Sequence, residues 1–192
     1  MTDRVAQMAE AIAKLKPADR RRLFDLLAAR GVLPGEATAP AAAAKQMTLL
    51  PARPAEGWAP DYVLVFDGGS RGNPGWGYGS YAITRTADEA QRLERLDLGE
   101  AYTNNEAEYD TLIAALEDLI ARIEEAGRQP GEFCLEVRGD SALVINQIEG
   151  RWKANEPRMR ARRDRCRRAL GRFGGVKLKA QPREESVRIL GH

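Results

Sequence analysis

The stretch YVLVFDGGSRGNPGWGYGS, residues 62–80, decides the reading of the chain. Its first five residues are apolar, β-branched or aromatic without a break, which predicts a strand buried on both faces. Asp67 closes that run, and glycines follow at 68, 69, 72, 75, 77 and 79. A lone charge at the end of a buried strand is expensive unless something offsets it. Gly68 and Gly69 are expected to carry the chain off the strand without crowding that corner. Gly72, Pro74 and Gly75 are expected to form a tight turn. A glycine-rich turn also suits a phosphate-binding loop, but the GxGxxG and Lys-Ser/Thr signatures are both absent.

Outward from this stretch, residues 76–85 and 91–98 predict a second and third strand, the latter on an edge. Their short links favour an antiparallel meander. Residues 103–126 predict the longest helix: Thr103 and Glu106 have capping-box spacing, and Leu112, Ile113, Leu116, Leu119, Ile120 and Ile123 form its apolar stripe. Residues 133–137 predict a fourth strand that would bury Cys134. Ser141 caps a short helix ending at Gln147, residues 157–170 predict a basic helix, and residues 176–180 a fifth strand. The order β-β-β-α-β-α-α-β specifies an α/β domain with a mixed sheet, placed at residues 61–192. Ahead of it, residues 1–34 read as a small helical hairpin, a candidate for a protein contact or dimerisation. Residues 35–60 read as an Ala/Pro-rich linker.

Three carboxylates sit awkwardly for structure alone. Asp67 ends the first strand, and Asp140 follows the fourth, directly before a helix. Glu108 lies four residues before Leu112, on the side of the apolar stripe. If strands one and four are parallel neighbours, the two aspartates meet, since functional groups gather at the carboxyl ends of adjacent strands. Each has a bland reading as well: a helix cap, a turn holder, a half-exposed helix residue. Together, without a matching buried cation, they repel, and hard oxygen ligands of this kind suit Mg²⁺ or Mn²⁺. The net charge of +2 hides a skew, because residues 151–183 hold 13 Lys or Arg against Glu156 and Asp164. Such a block fits either a polyanionic partner or a solvated helix face. The two cysteines, Cys134 and Cys166, lack metal-ligand spacing, and the N-terminus has no long apolar run. These features predict a cytoplasmic protein with no membrane span.

FDGGSRGNPG, TNNEAEY and GDSALV, in that order, resemble type 1 ribonuclease H, especially its archaeal and bacterial short forms, over residues 62–183. The resemblance implies a ribonuclease H-like five-stranded mixed sheet, three antiparallel strands then parallel ones, flanked by helices. It implies an endonuclease that hydrolyses the RNA strand of RNA–DNA hybrids with two Mg²⁺ ions, Mn²⁺ being a possible substitute. The implied catalytic and metal-holding residues are Asp67, Glu108 (rather than Glu106) and Asp140. The implied substrate contacts are Ser70, Asn73, Asn104, Asn105 and Ser141, with the asparagines beside Glu108 suited to the 2′-hydroxyl that marks RNA. The basic helix becomes a phosphate track carrying Arg158, Arg160, Arg162 and Arg163. Trp152 either lies against a sugar or base, or is core. The family pattern ends RExNxxAD, whereas this chain has REESVRIL, with Leu190 in place of the aspartate. Glu184, Glu185, His192 and the terminal carboxylate are the candidate replacements, unless the chain is truncated. Two rival readings stay open: a hybrid-binding module weakened by that loss, and a related nuclease acting on DNA.

Overall fold

In a computed structural model the described residues run from Trp58 to Gly191. The expected 1–34 hairpin, and the 35–60 linker apart from its last three residues, lie outside them. The element order is β1 (Tyr62–Gly72), β2 (Gly75–Arg85), β3 (Gln91–Tyr102), α1 (Asn104–Glu125), a 3-10 turn (Pro130–Glu132), β4 (Cys134–Gly139), α2 (Ala142–Glu149), α3 (Pro157–Leu170), β5 (Gly175–Ala180) and α4 (Arg183–Leu190). The sheet has five strands in the order β3-β2-β1-β4-β5. β1, β2 and β3 pair antiparallel, and β4 joins β1 and β5 in parallel. This is the expected mixed sheet.

Strand alternation divides the core between two faces. Leu64, Phe66, Tyr81 and Ile83 pack under α1, against Leu112, Leu116 and Ile120. Val65 and Ala82 point the other way and pack against Leu190 of α4. Fully burying side chains of this size stabilises the fold by roughly 1.5–3 kcal/mol each. α1 starts at the expected capping box: Thr103 Oγ1 accepts from the Glu106 N–H at 3.3 Å, and Glu106 Oε2 accepts from the Thr103 N–H at 3.1 Å. The Tyr109 hydroxyl, fully buried, donates to Gln147 Oε1 at 2.9 Å and ties α1 to α2.

Several expectations need correction. β1 does not end at Phe66; it continues to Gly72, paired throughout with β2, so Asp67 lies inside a strand. The turn is Asn73–Pro74, joined by a cis peptide bond, with Gly72 at φ 100° before it. Gly68 serves a different purpose from the one expected, and Gly79 shares it. A Cβ on Gly68 would stand 2.6 Å from the Ala107 carbonyl and the Glu108 nitrogen, and one on Gly79 would stand 1.8 Å from Thr111 Oγ1. The missing side chains let α1 lie directly on the hairpin. β3 runs to Tyr102, beyond the expected end at Leu98, because its pairing with β2 persists past a bulge at Gly77. The helix α4 was not expected; its apolar residues are too few to mark it, and it folds because Leu190 fills the underside of the sheet. Cys134 is only half-buried, since it opens β4 at the sheet margin, whereas Cys166 is fully buried.

Candidate active site

The register of the central strands builds the site. β4 stops at Gly139, opposite Phe66, so from Asp67 onward β1 has a partner on one side only. Asp67 and Asp140 are the next residues after that final parallel pair, Asp67 within β1 and Asp140 just past the end of β4. The first turns of α1 cross Gly68 and bring Glu108 to the same opening. Glu108 thus lies near enough to Asp140 and Asp67 to feel both charges, around the point where the sheet parts.

Their electrostatics differ from residue to residue. Asp67 is buried, at 6% exposure. Glu108 has its carboxyl pushed up to about 7, first by burial and then by the negative charges of Asp140 and Asp67; a hydrogen bond from the Ser141 hydroxyl and the Arg183 charge oppose the rise. Glu108 Oε2 is buried and has no hydrogen-bond partner. Asp140 Oδ2 lies 3.6 Å from the Arg183 guanidinium, at the start of α4. Glu106 provides the contrast. Burial raises its pKa too, but the bonds from Thr103 and the charges of Arg162 and Arg158 hold it below the usual range. Glu106 is committed to structure, while Glu108 keeps an unspent oxygen.

An orphaned, buried carboxylate oxygen beside two further carboxylates is a donor set that suits a hard divalent cation. Among the described residues, no three His, Cys, Asp or Glu side chains converge tightly enough to enclose an ion. Like charges keep such carboxylates apart when no cation offsets them.

Most of the remaining expected site residues lock the site in place. The Ser70 N–H donates to Asn104 Oδ1 at 2.9 Å, and the Asn104 N–H donates to Asn73 Oδ1 at 3.3 Å. These bonds fasten the β1–β2 hairpin to the start of α1. Ser70 Oγ is buried without a partner, and Asn105 is exposed in the first turn of α1. Ser141 Oγ accepts from the Val144 N–H at 3.3 Å as the cap of α2 while its hydroxyl bonds Glu108. Ser141 thus positions Glu108, a role its sequence neighbours did not reveal. Arg183 was also missed as a partner of Asp140. The parallel register Gly139↔Ala180 is the signal, since it sets the chain after β5 beside Asp140.

The basic helix divides. Arg162 grips Asp110 with two bonds of 3.1 Å and reaches Glu106 at 3.3 Å. Arg163 pairs with Asp164 at 2.7 Å, and Arg165 with Glu117 at 2.6 Å. Arg162 is thus engaged with α1, and Arg163 with its neighbour Asp164. Arg158, although it reaches Glu106 at 3.5 Å, and Arg160 stay exposed, as does Trp152 at 51%, which removes Trp152 from the core. Leu190 is wholly buried against Val65 and Ala82, so an apolar side chain fills the place of the family's fourth carboxylate. Of its candidate replacements, Glu185 pairs with Arg188 at 2.6 Å, Glu184 is exposed, and His192 lies outside the described residues.

A five-stranded mixed sheet with one aspartate in its central strand, a second just past the end of the adjacent parallel strand and a glutamate from the covering helix defines a ribonuclease H-like protein. The reverse transcriptase-like family model matches residues 66–188, and the chain belongs to that family, as a type 1 ribonuclease H. It is 39% identical over 123 residues to ribonuclease HI of Halobacterium salinarum, an alignment covering 64% of this chain and 57% of that protein. The crystal structure of ribonuclease H1 from the same archaeon superimposes with a TM-score of 0.57 at 36% identity, covering 67% of this chain and 90% of that one. LC11-RNase H1 in complex with an RNA/DNA hybrid gives a TM-score of 0.59 at 31% identity, covering 67% and 90%. The chain spans little more than half the length of the curated Halobacterium relative, and about a quarter of that of the mycobacterial ones.

Proposed function

We propose that this protein is an endonuclease that hydrolyses the RNA strand of RNA–DNA hybrids. The observation that carries the reading is the buried, partnerless Oε2 of Glu108 beside Asp67 and Asp140. Asp67, Glu108 and Asp140 would hold two divalent cations, Mg²⁺ or in its place Mn²⁺. When bound, such ions neutralise the phosphate and lower the pKa of a water. Ser141 holds Glu108 through a hydrogen bond, and Arg183 pairs with Asp140 beside the opening. Asn73 and Asn104 hold the hairpin against α1, which leaves Asn105 free to reach a 2′-hydroxyl in the minor groove. Arg158 and Arg160 supply the exposed positive charge for the opposite strand. No helix among the described residues is long and apolar enough to cross a membrane; a cytoplasmic setting, where such hybrids form, is part of the proposal.

Leu190 favours a second reading, a module that holds hybrids but cleaves them slowly, because the fourth carboxylate position is apolar and buried. One assay separates the two. Cleavage of a labelled hybrid is followed in Mg²⁺ and in Mn²⁺, beside double-stranded DNA and double-stranded RNA, with Asp67→Asn as control. Metal-dependent cleavage confined to the hybrid and lost in Asp67→Asn supports the enzyme. Tight hybrid binding without turnover supports the module, and cleavage of double-stranded DNA refutes both.

A further inference from the structure

Cross-strand register sets Asp67, Ser80 and Arg95 in one row across β1, β2 and β3. Residues directly opposite in an antiparallel pair point to the same face. Asp67 and Arg95 therefore share a face, with backbones about 10 Å apart across two strand spacings. By the same register Gly69 and Tyr78 face that side, as do Arg71 and Trp76. A cavity of about 410 Å³ opens there, lined by Arg71, Tyr78, Ser80 and Arg95. The Tyr78 ring lies across Gly69, whose Cβ would stand 2.6 Å from the hydroxyl. The Arg71 guanidinium stacks over that ring at 5.9 Å. Arg95 Nη2 donates to the Leu190 carbonyl at 3.4 Å, at the end of α4. Asp97 faces the same patch from β3, with Oδ1 accepting from the Gly99 N–H at 3.1 Å.

Two arginines, an aromatic face and a cavity thus lie beside Asp67, on the side away from the basic helix. From this we infer that the pocket of Arg71, Tyr78 and Arg95 is a subsite for the strand being cut: the arginines bind backbone phosphates flanking the scissile one, and Tyr78 takes the intervening sugar or base. The inference rests on the hybrid reading above and adds a location to it. At about 3.4 Å of helix axis per phosphate on each strand, a 10 Å offset places the subsite roughly two or three nucleotides from the cut. Arginine suits this role because its planar fork pairs with phosphate oxygens while its face stacks on a ring.

The test uses hybrids whose RNA strand is trimmed, first on one side and then on the other, to the cleavage position. Binding is measured against salt in an Asp67→Asn background, so that the substrate survives. The unmodified pocket is expected to lose affinity when one particular side is trimmed. An Arg71→Gln/Arg95→Gln pair should bind trimmed and untrimmed forms alike. Its log–log salt slope should be shallower by about 1.4–1.8, the value for two phosphate contacts. Equal losses on trimming and equal slopes with and without the pair would overturn the subsite. Arg95→Lys, which keeps the charge, should restore part of the slope. If Arg71→Gln alone changes nothing and Arg95→Gln lowers the melting temperature along with the slope, Arg95 only holds the end of α4, and the subsite is overturned. If no version prefers a hybrid to double-stranded DNA, the hybrid reading fails first and the subsite falls with it. Hybrid binding that persists without any trimming effect refutes the subsite alone.

Discussion

Replacing Glu108 with Gln should stabilise the metal-free protein while destroying its activity. The ordinary glutamate value of 4.5 rises to about 7 in the folded state. Between those values the folded chain holds a proton that the unfolded chain has released, so stability falls as pH rises. The cost is absent below pH 4.5 and complete above pH 7. It amounts to about 3 kcal/mol, since each tenfold change in proton affinity is worth 1.36 kcal/mol. Glutamine keeps the shape and a carbonyl to accept from Ser141, but carries no charge to desolvate. In EDTA at pH 8, Glu108→Gln should therefore melt roughly 10 °C above the parent chain, a shift typical of ~3 kcal/mol in a domain of this size. At pH 4.5 the two should melt together. Thermal unfolding followed by circular dichroism at both pH values decides the matter. A variant that melts lower than the parent at pH 8, or a difference independent of pH, would refute the account of Glu108 as a buried carboxylate held among like charges. Added Mg²⁺ should close the gap by stabilising the parent alone, because the variant lacks a ligand.

Arg162→Ala should cost about 3 kcal/mol in urea unfolding, because it strands Asp110 and Glu106, and should leave the salt dependence of hybrid binding intact. The pair Arg158→Ala/Arg160→Ala should do the reverse, changing stability by less than about 1 kcal/mol and reducing the salt slope. Gly68→Ala should lift the first turns of α1 off the hairpin and displace Glu108, with a drop in Mg²⁺ affinity by calorimetry larger than the change in fold would suggest. Ala101, which sits at φ 67° just before the capping box, should gain about 1 kcal/mol on replacement by Gly, read from the urea midpoint.

The parts of the fold legible in the sequence were those written by periodicity and by local chemistry. YVLVF declared a buried strand, the leucine and isoleucine stripe declared α1, and Thr103 with Glu106 fixed its start. The three carboxylates were legible as well, because each broke a pattern that would otherwise bury it. What could not be read was long-range register. Asp67 appeared to end a strand because the apolar run stops there, but it is β4 that ends, and β1 goes on with β2 alone. Gly68 looked like an exit from the strand for the same reason, while it and Gly79 answer to backbone and side chains of α1, more than 30 residues away in the chain. The arginines of α3 could not be sorted by sequence: Arg158 and Arg162 share one face of the helix and both reach Glu106, but only Arg162 also meets Asp110. α4 escaped notice because Leu190 is its one deeply buried aliphatic side chain.

The pairing of α3 with α1 has a consequence for how the protein behaves in a crowded ionic milieu. Asp110, Glu106 and Glu117 act as built-in counter-ions for Arg162 and Arg165, and Glu124 does the same for Arg172 beyond the helix. A stretch that looks strongly cationic on paper therefore presents only a few unneutralised charges to solvent, which limits indiscriminate adhesion to nucleic acid. Acidic substitutions that soften α3 would not be needed to tame it. Neutralising the carboxylates of α1 instead would set its arginines loose and turn a selective surface into a sticky one.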